Sequence, residues 1–390
     1  MGNMHDKLDE IVQCVIKHGD MSETGLMDGR CGVILLMYYY AKNVNPEMVG
    51  LADNYIHCLF EGLRNTTIPI NYAEGIAGVV ATIAHLKKQR LCPKIRIERE
   101  ISEFLLSETK KELEADNFDF FYGSAGLLYS MLLHHECDGS LKELLKEAVM
   151  ALSSSSITDN TYITSNYASD FETGFPHGYA SWVVILSKLI KHNVAIECCK
   201  MIVKRIVDVY IHWLDLIGTN ENDSLFPTSI DLRTPKASHS RLGWCNGDYP
   251  CLYSLLYYAR VVNDLSLQAR LEPLVPKLLS RRKLINNGVL DAGICHGASG
   301  IVMIISRLCQ TLPYGQSYEN DLLFWSDILI GYSHNDTPET AGFLKMYYKK
   351  GDVIVSEKSF GLLEGLSGIG LTLIGLLYKE QAWDELFLLS

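Results

Sequence analysis

Two cysteines and a histidine stand directly in front of short glycine motifs. Cys245 lies two residues before Gly247, Cys295 lies two before Gly297, and His296 lies between Cys295 and Gly297. Thiolate and imidazole groups suit zinc, and three protein ligands leave a fourth tetrahedral position for water or substrate. The spacing differs from that of a zinc finger, whose CxxC pairs lie close in sequence. These residues therefore predict a catalytic rather than a structural zinc site, with ordinary core packing as the alternative.

A second histidine and an aspartate occupy related positions in other copies of the motif. His177 immediately precedes Gly178, and Asp119 lies four residues before Gly123. If the copies are structurally equivalent, these side chains and the three zinc candidates lie in loops at the same end of consecutive helices. They would then converge on one cavity. The alternative for His177 is a structural histidine with its hydrogen bonds satisfied inside the fold.

The glycine motif itself recurs seven times. Five copies have the form G-x-x-G and two are degenerate: Gly29–Gly32, Gly75–Gly78, Gly123–Gly126, Gly178–Ser181, Gly247–Pro250, Gly297–Gly300 and Gly365–Gly368. The first glycines are 46, 48, 55, 69, 50 and 68 residues apart, a spacing suited to one helical hairpin per repeat. A proline early in a helix costs little, because its N–H would lack an intrahelical partner anyway.

Each motif is followed by an apolar segment that is long enough for a buried helix. More amphipathic, charged segments alternate with them, as at 97–114, 141–152 and 196–216. This alternation predicts an all-α protein, an (α/α)7 toroid with an inner ring of seven helices inside an outer ring. Closure of the ring leaves no repeat with an exposed apolar face.

Length alone suggests two to three domains, since the chain has 390 residues. The repeats instead predict one domain over 1–390, with loop insertions near 153–174, 218–240 and 334–358, where polar residues accumulate.

The composition excludes several classes of protein. Apolar residues make up 48% of the chain and charged residues 21%, which excludes an intrinsically disordered protein. A net charge of −11 argues against nucleic-acid binding. The longest stretch without a charged residue has 16 residues, so no transmembrane helix is expected. The polar N-terminus does not resemble a signal peptide. Eleven cysteines without disulfide-domain spacing fit a reducing cytosol.

The remaining reactive residues have simpler interpretations. Most other cysteines are expected to be core residues: Cys14, Cys31, Cys58, Cys92, Cys198, Cys199, Cys251 and Cys309. His134 and His135, with Cys137, are expected at the surface rather than in a second metal cluster. Asp28, Glu74 and Glu364 each precede a glycine motif and are expected to stabilise helix N-termini through the macrodipole.

The motifs with the most distinctive residues resemble those of the lanthionine synthetase C-like family. They are Arg241–Gly247 (RLGWCNG), Ile294–Gly297 (ICHG), Pro176–Gly178 (PHG) and the closing Trp383–Leu389 (WDELFLL). The resemblance extends from the first glycine motif to the last residue. It implies an (α/α)7 toroid with zinc at its centre and Cys245, Cys295 and His296 as the zinc ligands. By the same matching, His177, Arg241 and Asp119 correspond to the family's active-site residues, with less motif support for Asp119.

The resemblance also implies a reaction. In peptide-modifying members, a cysteine of a precursor peptide adds to a dehydroalanine or dehydrobutyrine of the same peptide and forms a thioether ring. His177 is the expected acid that protonates the resulting enolate, since imidazole titrates near neutrality. Asp119 would orient His177 or accept the thiol proton, and Arg241 would stabilise the enolate oxygen or hold Asp119.

The expected partners follow from length and from the family. A toroid would use nearly all of the chain and leave no room for a dehydratase, so a separate dehydratase and an export transporter are expected. The expected location is the cytoplasm, with peripheral membrane association through such a complex.

Three alternatives stay open: a eukaryotic-type member that adds glutathione to dehydrated residues, a peptide-binding scaffold without activity, and a terpenoid-cyclase or glycosidase toroid. The last lacks support, because no Asp-rich diphosphate motif is present and cysteine ligands do not suit sugar hydrolysis.

Overall fold

The computed structural model describes residues 2–19, 23–65, 67–158, 171–217, 224–231, 239–334, 337–349 and 353–390. Within these ranges the chain is almost entirely helical. The α-helices are α1 (Gly2–His18), α2 (Arg30–Asn43), α3 (Val49–Asn65), α4 (Ile76–Lys88), α5 (Arg99–Glu114), α6 (Ser124–Asp138), α7 (Lys142–Ser153), α8 (Tyr179–Lys191), α9 (Ile196–Ile217), α10 (Asp248–Val261), α11 (Leu265–Leu271), α12 (Val275–Leu279), α13 (Ala298–Thr311), α14 (Glu319–Gly331) and α15 (Leu366–Tyr378). The prediction of an all-α protein is confirmed.

Seven of these helices begin on the residue that follows the first glycine of a motif. They are α2, α4, α6, α8, α10, α13 and α15, and in each the glycine is the N-cap residue. Most residues of these helices are buried, as their low charge predicts. Pro250 lies at the third position of α10, within the first turn, where its missing N–H costs no intrahelical bond.

The described chain divides into two compact units, and unit 1 contains both chain ends (1–97 and 289–390). Its buried helices are α2, α4, α13 and α15; α15 packs against α2 and α13, and α2 packs against α4. The less buried helices α1, α3 and α14 cover them, since α1 contacts α15, α3 contacts α2 and α14 contacts α13.

Unit 2 (98–288) contains the other three buried helices, α6, α8 and α10. Helix α8 packs against both α6 and α10. The covering helices are α5 against α6, α9 against α8 and α11 against α10. Each unit by itself therefore repeats a pairing of one buried helix with one amphipathic helix.

A repeated set of backbone hydrogen bonds, here called the loop ladder, joins the loops that precede the buried helices. The acceptor is the backbone carbonyl of the residue two positions before a motif. It accepts hydrogen bonds from the backbone N–H groups of the residues two and three positions before a neighbouring motif, or from one of them where the other is a proline. In unit 1, the amides of Ile294 and Cys295 donate to the Leu363 carbonyl at 2.8 and 3.1 Å. In the same way, the amides of Leu362 and Leu363 donate to the Met27 carbonyl at 2.7 and 2.9 Å, and those of Leu26 and Met27 donate to the Ala73 carbonyl, both at 2.9 Å. The repeated motif thus fixes the register of neighbouring loops.

The loop ladder has the same form in unit 2. The amides of Phe120 and Phe121 donate to the Pro176 carbonyl at 2.9 and 3.2 Å, and the Phe175 amide donates to the Cys245 carbonyl at 2.9 Å. The last contact requires a glycine at position 174, because a Cβ there would lie 1.9 Å from the Cys245 carbonyl oxygen.

Two short antiparallel pairs lie in or near the predicted insertions. In unit 2, β1 (Phe171–Glu172) pairs with β2 (Ser229–Ile230). In unit 1, β3 (Lys345–Lys349) pairs with β4 (Val353–Glu357), with Lys345 opposite Glu357 and Lys349 opposite Val353. A hairpin therefore occupies part of the region predicted as a loop near 334–358, because the aromatic and β-branched residues of its strands favour extended structure. Residues 159–170, 218–223, 232–238, 335–336 and 350–352 of the three predicted insertions lie outside the described residues, and the single domain over 1–390 stays a prediction.

Several sequence-based expectations of burial are wrong. His134 and His135 are 2% and 8% exposed, not surface residues. His134 pairs with the Ser102 hydroxyl at 2.8 Å, and the Nδ1 atom of His135 accepts a hydrogen bond from the Leu141 amide at 3.1 Å, so hydrogen bonds offset the cost of burial. Cys58 is exposed instead of buried.

The thiol environments also differ from one another. Cys31, Cys199 and Cys251 are fully buried, as expected. Cys14, Cys92, Cys198 and Cys309 are only partly buried. Burial raises the pKa of the Cys31 and Cys199 thiols to about 12, so both are protonated at neutral pH. In the described part of the chain, no helix is both long and apolar enough to span a membrane.

Candidate active site

His177 and Asp119 meet in unit 2, although 58 residues separate them in sequence. The Nδ1 atom of His177 lies 2.6 Å from the Oδ2 atom of Asp119. The other carboxylate oxygen of Asp119 accepts the Tyr122 amide at 2.8 Å, which fixes the carboxylate in its loop. The loop ladder is responsible for this meeting, because it joins the Asp119 loop to the carbonyl of Pro176, the residue before His177.

The pKa of His177 is raised above its usual value, chiefly by the hydrogen bond to Asp119. Partial burial opposes this shift, while a Cys245 thiolate acts in the same direction as Asp119. The Asp119 carboxylate therefore stabilises the imidazolium form. With Nδ1 engaged by Asp119, Nε2 is the nitrogen from which a proton can be delivered.

Aromatic side chains hold the imidazole on two sides. The Tyr122 ring stacks on His177 with 6.3 Å between ring centroids and 10° between the planes, and the Phe121 ring meets it edge-on at 5.9 Å. Phe121 in turn stacks on the buried ring of Trp244 at 5.7 Å. His177 remains 56% exposed at its side chain, so it is accessible to a substrate.

The Arg241–Gly247 loop leads into α10. Cys245 is buried in this loop, whereas Arg241 is exposed and forms no hydrogen bond or ion pair with the described residues. Gly247 has a φ of +81°, a conformation that a residue with a side chain rarely adopts. The structure thus brings Asp119 and His177 together, whereas the Arg241 guanidinium has no partner among the residues that the structure describes.

Cys295 and His296 lie in the loop that leads into α13, in unit 1. The Cys295 amide is part of the loop ladder, and the Nδ1 atom of His296 lies 3.7 Å from a carboxylate oxygen of Glu364. Glu364 is held by the Lys345 ammonium of β3 at 2.5 Å. Burial lowers the pKa of Lys345, but its contacts with Glu364 and Glu357 outweigh this effect and raise it, so the ammonium stays charged.

Two further carboxylates of unit 1 lie directly before a glycine motif, as Glu364 does. Asp28 and Glu74 line a cavity of about 540 Å³ with Glu23 and Thr24. Burial raises the pKa of Asp28, and the charges of Glu364 and Glu74 raise it further, while Lys345 lowers it. Of the four residues that directly precede the glycine motifs of unit 1, three are therefore acidic, and the fourth is His296.

Cys245, Cys295 and His296 offer one ligand atom each and could hold a metal ion; no other group of three or more such residues is found among the described ranges. His134, His135 and Cys137 do not form such a group. Two thiolates and one imidazole fit Zn²⁺ better than Mg²⁺ or Ca²⁺, which prefer oxygen ligands.

Sequence reasoning missed four residues around these candidates: Tyr122, Phe121, Lys345 and the role of Glu364. Tyr122 and Phe121 were detectable, since they belong to the same motif loop as Asp119. Lys345 was not, because its strand lies in a polar stretch without a motif.

Comparisons with known proteins identify the fold and the family of this chain. The structure is similar to that of a nisin cyclase, with a TM-score of 0.75 over 100% of this chain and 98% of that one, at 19% sequence identity. That likeness shows the fold and confirms the predicted α/α-toroid class. No curated protein matches the sequence. The family described as "Lanthionine synthetase C-like protein" matches residues 20–388. This chain therefore belongs to the lanthionine synthetase C-like family.

Proposed function

We propose that the protein is a zinc-dependent lanthipeptide cyclase. It closes thioether rings by adding cysteine thiols of a dehydrated precursor peptide to dehydroalanine or dehydrobutyrine residues of the same peptide. The observation that carries this proposal is the set Cys245, Cys295 and His296, which could hold a metal ion in a protein with the fold of a nisin cyclase.

The donor set suits the proposed chemistry. With two thiolates and one imidazole as ligands, bound zinc would favour the thiolate form of a substrate cysteine at neutral pH. A free cysteine has a pKa of about 8.5 and is mostly protonated at that pH. The two protein thiolates offset the charge of the ion, so a substrate sulfur would stay nucleophilic.

The protein's own residues account for the rest of the reaction. The substrate sulfur forms a bond to the β-carbon of the dehydro residue, and the π-electron pair moves toward the adjacent carbonyl and gives an enolate. The imidazolium of His177 delivers a proton from Nε2 to the α-carbon. The substrate thiol releases its proton to solvent, and the His177 imidazole takes up a proton from solvent after it has protonated the α-carbon. Overall, one hydrogen and the sulfur therefore add across the double bond without loss of any group, and the mass of the peptide does not change.

Asp119 and Arg241 support this proton transfer in different ways. Asp119 holds Nδ1 of His177 at 2.6 Å and raises the pKa of the imidazole, which favours its protonated form. The exposed guanidinium of Arg241 has no partner among the described residues and is available to an enolate oxygen. Partners that follow from this proposal are a separate dehydratase, which supplies the substrate, and an export transporter. The proposed location is cytoplasmic, with peripheral membrane association through that complex.

Thiol counting tests the proposal. A purified candidate precursor, dehydrated by a lanthipeptide dehydratase, is incubated with the protein, and free cysteines are alkylated and counted by mass spectrometry. We expect fewer alkylated thiols with the zinc-loaded protein than with the Cys295→Ala variant or without protein. Equal counts in all three samples would contradict the proposal.

Two further arms separate the alternatives. A glutathione adduct in a sample that contains glutathione, with unchanged peptide thiols, would instead indicate the glutathione-adding type. Peptide binding without any change in thiol count, together with absence of stoichiometric zinc, would indicate a scaffold.

A further inference from the structure

Glu364 and His296 occupy the same position in neighbouring loops, each directly before a glycine motif. The loop ladder places them side by side, since the amides of Ile294 and Cys295 donate to the Leu363 carbonyl. The Nδ1 atom of His296 lies 3.7 Å from Oε1 of Glu364. Both side chains are mostly buried, at 13% and 15% exposure, so solvent screens their interaction only partly.

The other carboxylate oxygen of Glu364 contacts Lys345, which lies in the β3–β4 hairpin and not in one of the glycine-motif loops. The Nζ atom of Lys345 lies 2.5 Å from Oε2 of Glu364 and 3.2 Å from Oε1 of Glu357, its partner across the β3–β4 hairpin. The hairpin is fixed at the same point, because the Met346 amide donates to the buried carboxylate of Asp291 at 2.8 Å. The base of the hairpin therefore sets the position of the Lys345 ammonium.

The contacts of the Glu364 side chain are not with the N-terminus of the helix that follows it. Its contacts are with His296 and Lys345, and the α15 N-cap is Gly365, which has no side-chain cap. The macrodipole role expected from sequence stays a prediction.

We propose that Glu364 is a positioning residue for the candidate zinc ligand His296, and that the hairpin supplies Lys345 to hold Glu364 in place. This inference rests on the proposed zinc site. A ligating histidine commonly gives its other ring nitrogen to a carboxylate, which fixes the tautomer and orientation of the ring and raises its basicity. Here Glu364 faces Nδ1, which leaves Nε2 as the nitrogen for a metal.

Zinc affinity of the full-length protein tests this role without any activity assay. Zinc is titrated into metal-free protein against a chromophoric chelator, and the absorption spectrum of the Co²⁺-loaded protein is recorded. The variants are Glu364→Gln, Lys345→Met and Lys345→Arg, with Glu357→Gln as the matched control because Glu357 contacts Lys345 but not His296. Thermal melting of each metal-free variant verifies that it folds.

We expect Glu364→Gln to weaken zinc binding about 10- to 100-fold and to change the Co²⁺ spectrum. Lys345→Met should weaken binding less, Lys345→Arg should restore it toward the parent value, and Glu357→Gln should leave it unchanged. Parent-like affinity and spectrum in a folded Glu364→Gln variant would overturn the positioning role. If Cys295→Ser then abolishes zinc binding, the zinc site itself still stands. If the parent protein binds no zinc, both proposals fall.

Discussion

At the scale of single residues, the His177–Asp119 pair is the most informative feature. The two side chains are 58 residues apart in sequence, yet their atoms lie 2.6 Å from one another. The carboxylate stabilises the protonated imidazole, which is the form that an acid requires, and stacked aromatic rings restrict its orientation. The pair is therefore suited to deliver a proton near neutral pH.

Replacing His177 tests the acid role. We expect His177→Asn to slow ring closure about 10²- to 10⁴-fold, because the enolate would lose its positioned proton donor. The rate of thiol loss in a dehydrated precursor measures the effect, and His57→Asn is the matched control, since His57 is 73% exposed and lies on another helix, in unit 1. Ring closure at the parent rate in a folded His177→Asn variant would contradict the role.

The pH dependence of the reaction follows from the same pair. The pKa of His177 is raised by Asp119, so activity should fall as pH rises through that raised pKa and the imidazole loses its proton. Asp119→Asn removes the carboxylate and lowers the pKa of His177. The variant should therefore lose activity at a lower pH than the parent, in addition to any loss of rate. A pH–rate profile measures the shift; an unchanged high-pH limb would show that another group titrates there.

At the scale of elements, the loop ladder explains why the seven motifs matter. A glycine N-cap begins each buried helix, but the backbone two and three residues earlier joins neighbouring loops. The side chains directly before the motifs are thereby brought into rows, which contain Tyr122 beside His177 in unit 2 and His296 beside Glu364 in unit 1. The motif thus acts mainly through backbone geometry.

Gly174 offers a direct test of the loop ladder. A Cβ at this position would lie 1.9 Å from the Cys245 carbonyl oxygen, so Gly174→Ala should displace that loop and lower the free energy of unfolding by about 2 kcal/mol or more. Gly50→Ala in α3 is the control, because a Cβ there meets nothing within 4 Å, and it should be neutral or stabilising by up to about 1 kcal/mol. Urea unfolding compares the two. Equal stability of both variants would show that the loop yields without cost.

At the scale of the whole molecule, unit 1 joins the two ends of the chain. The closing segment Ala382–Phe387 contacts α4, and the Glu385 carboxylate lies between His85 at 2.5 Å and Lys88 at 2.6 Å. Arg307 holds the neighbouring Asp384. The closing motif that resembles the family's is therefore structural in this protein, since its charged side chains are buried in ion pairs.

Stability should depend on this ion pair and on pH. Burial alone would raise the pKa of Glu385, but His85 and Lys88 lower it below its usual value. Its contribution to stability is therefore present above about pH 4.5, the usual pKa of a glutamate, and is lost as pH falls through the lowered value of the folded protein. Glu385→Gln should cost about 3–5 kcal/mol at pH 7, because His85 and the Lys88 ammonium lose their buried carboxylate partner.

Urea unfolding of the parent and Glu385→Gln at pH 7 and at pH 3.5 measures the effect. The difference in free energy of unfolding between the two proteins should shrink at the lower pH. A difference that stays constant would mean that the carboxylate does not titrate in this range. The exposed pair Lys111–Glu108 provides the control, since Glu108→Gln should change stability by at most about 1 kcal/mol.

The sequence by itself determined the helices and the kinds of chemistry. The low charge of the segments after the glycine motifs predicted seven buried helices, because hydrophobicity is a local signal along the chain. Each of these helices begins inside its motif, three residues before the apolar segment. The same register singled out Cys245, Cys295 and His296, and the positions of His177 and Asp119. Only the tertiary structure decided that His134 and His135 are buried, that Asp119 binds His177, and that Lys345 reaches Glu364. These depend on contacts between residues far apart in sequence, and in the case of Lys345 on a strand outside the repeat, for which periodicity carries no information.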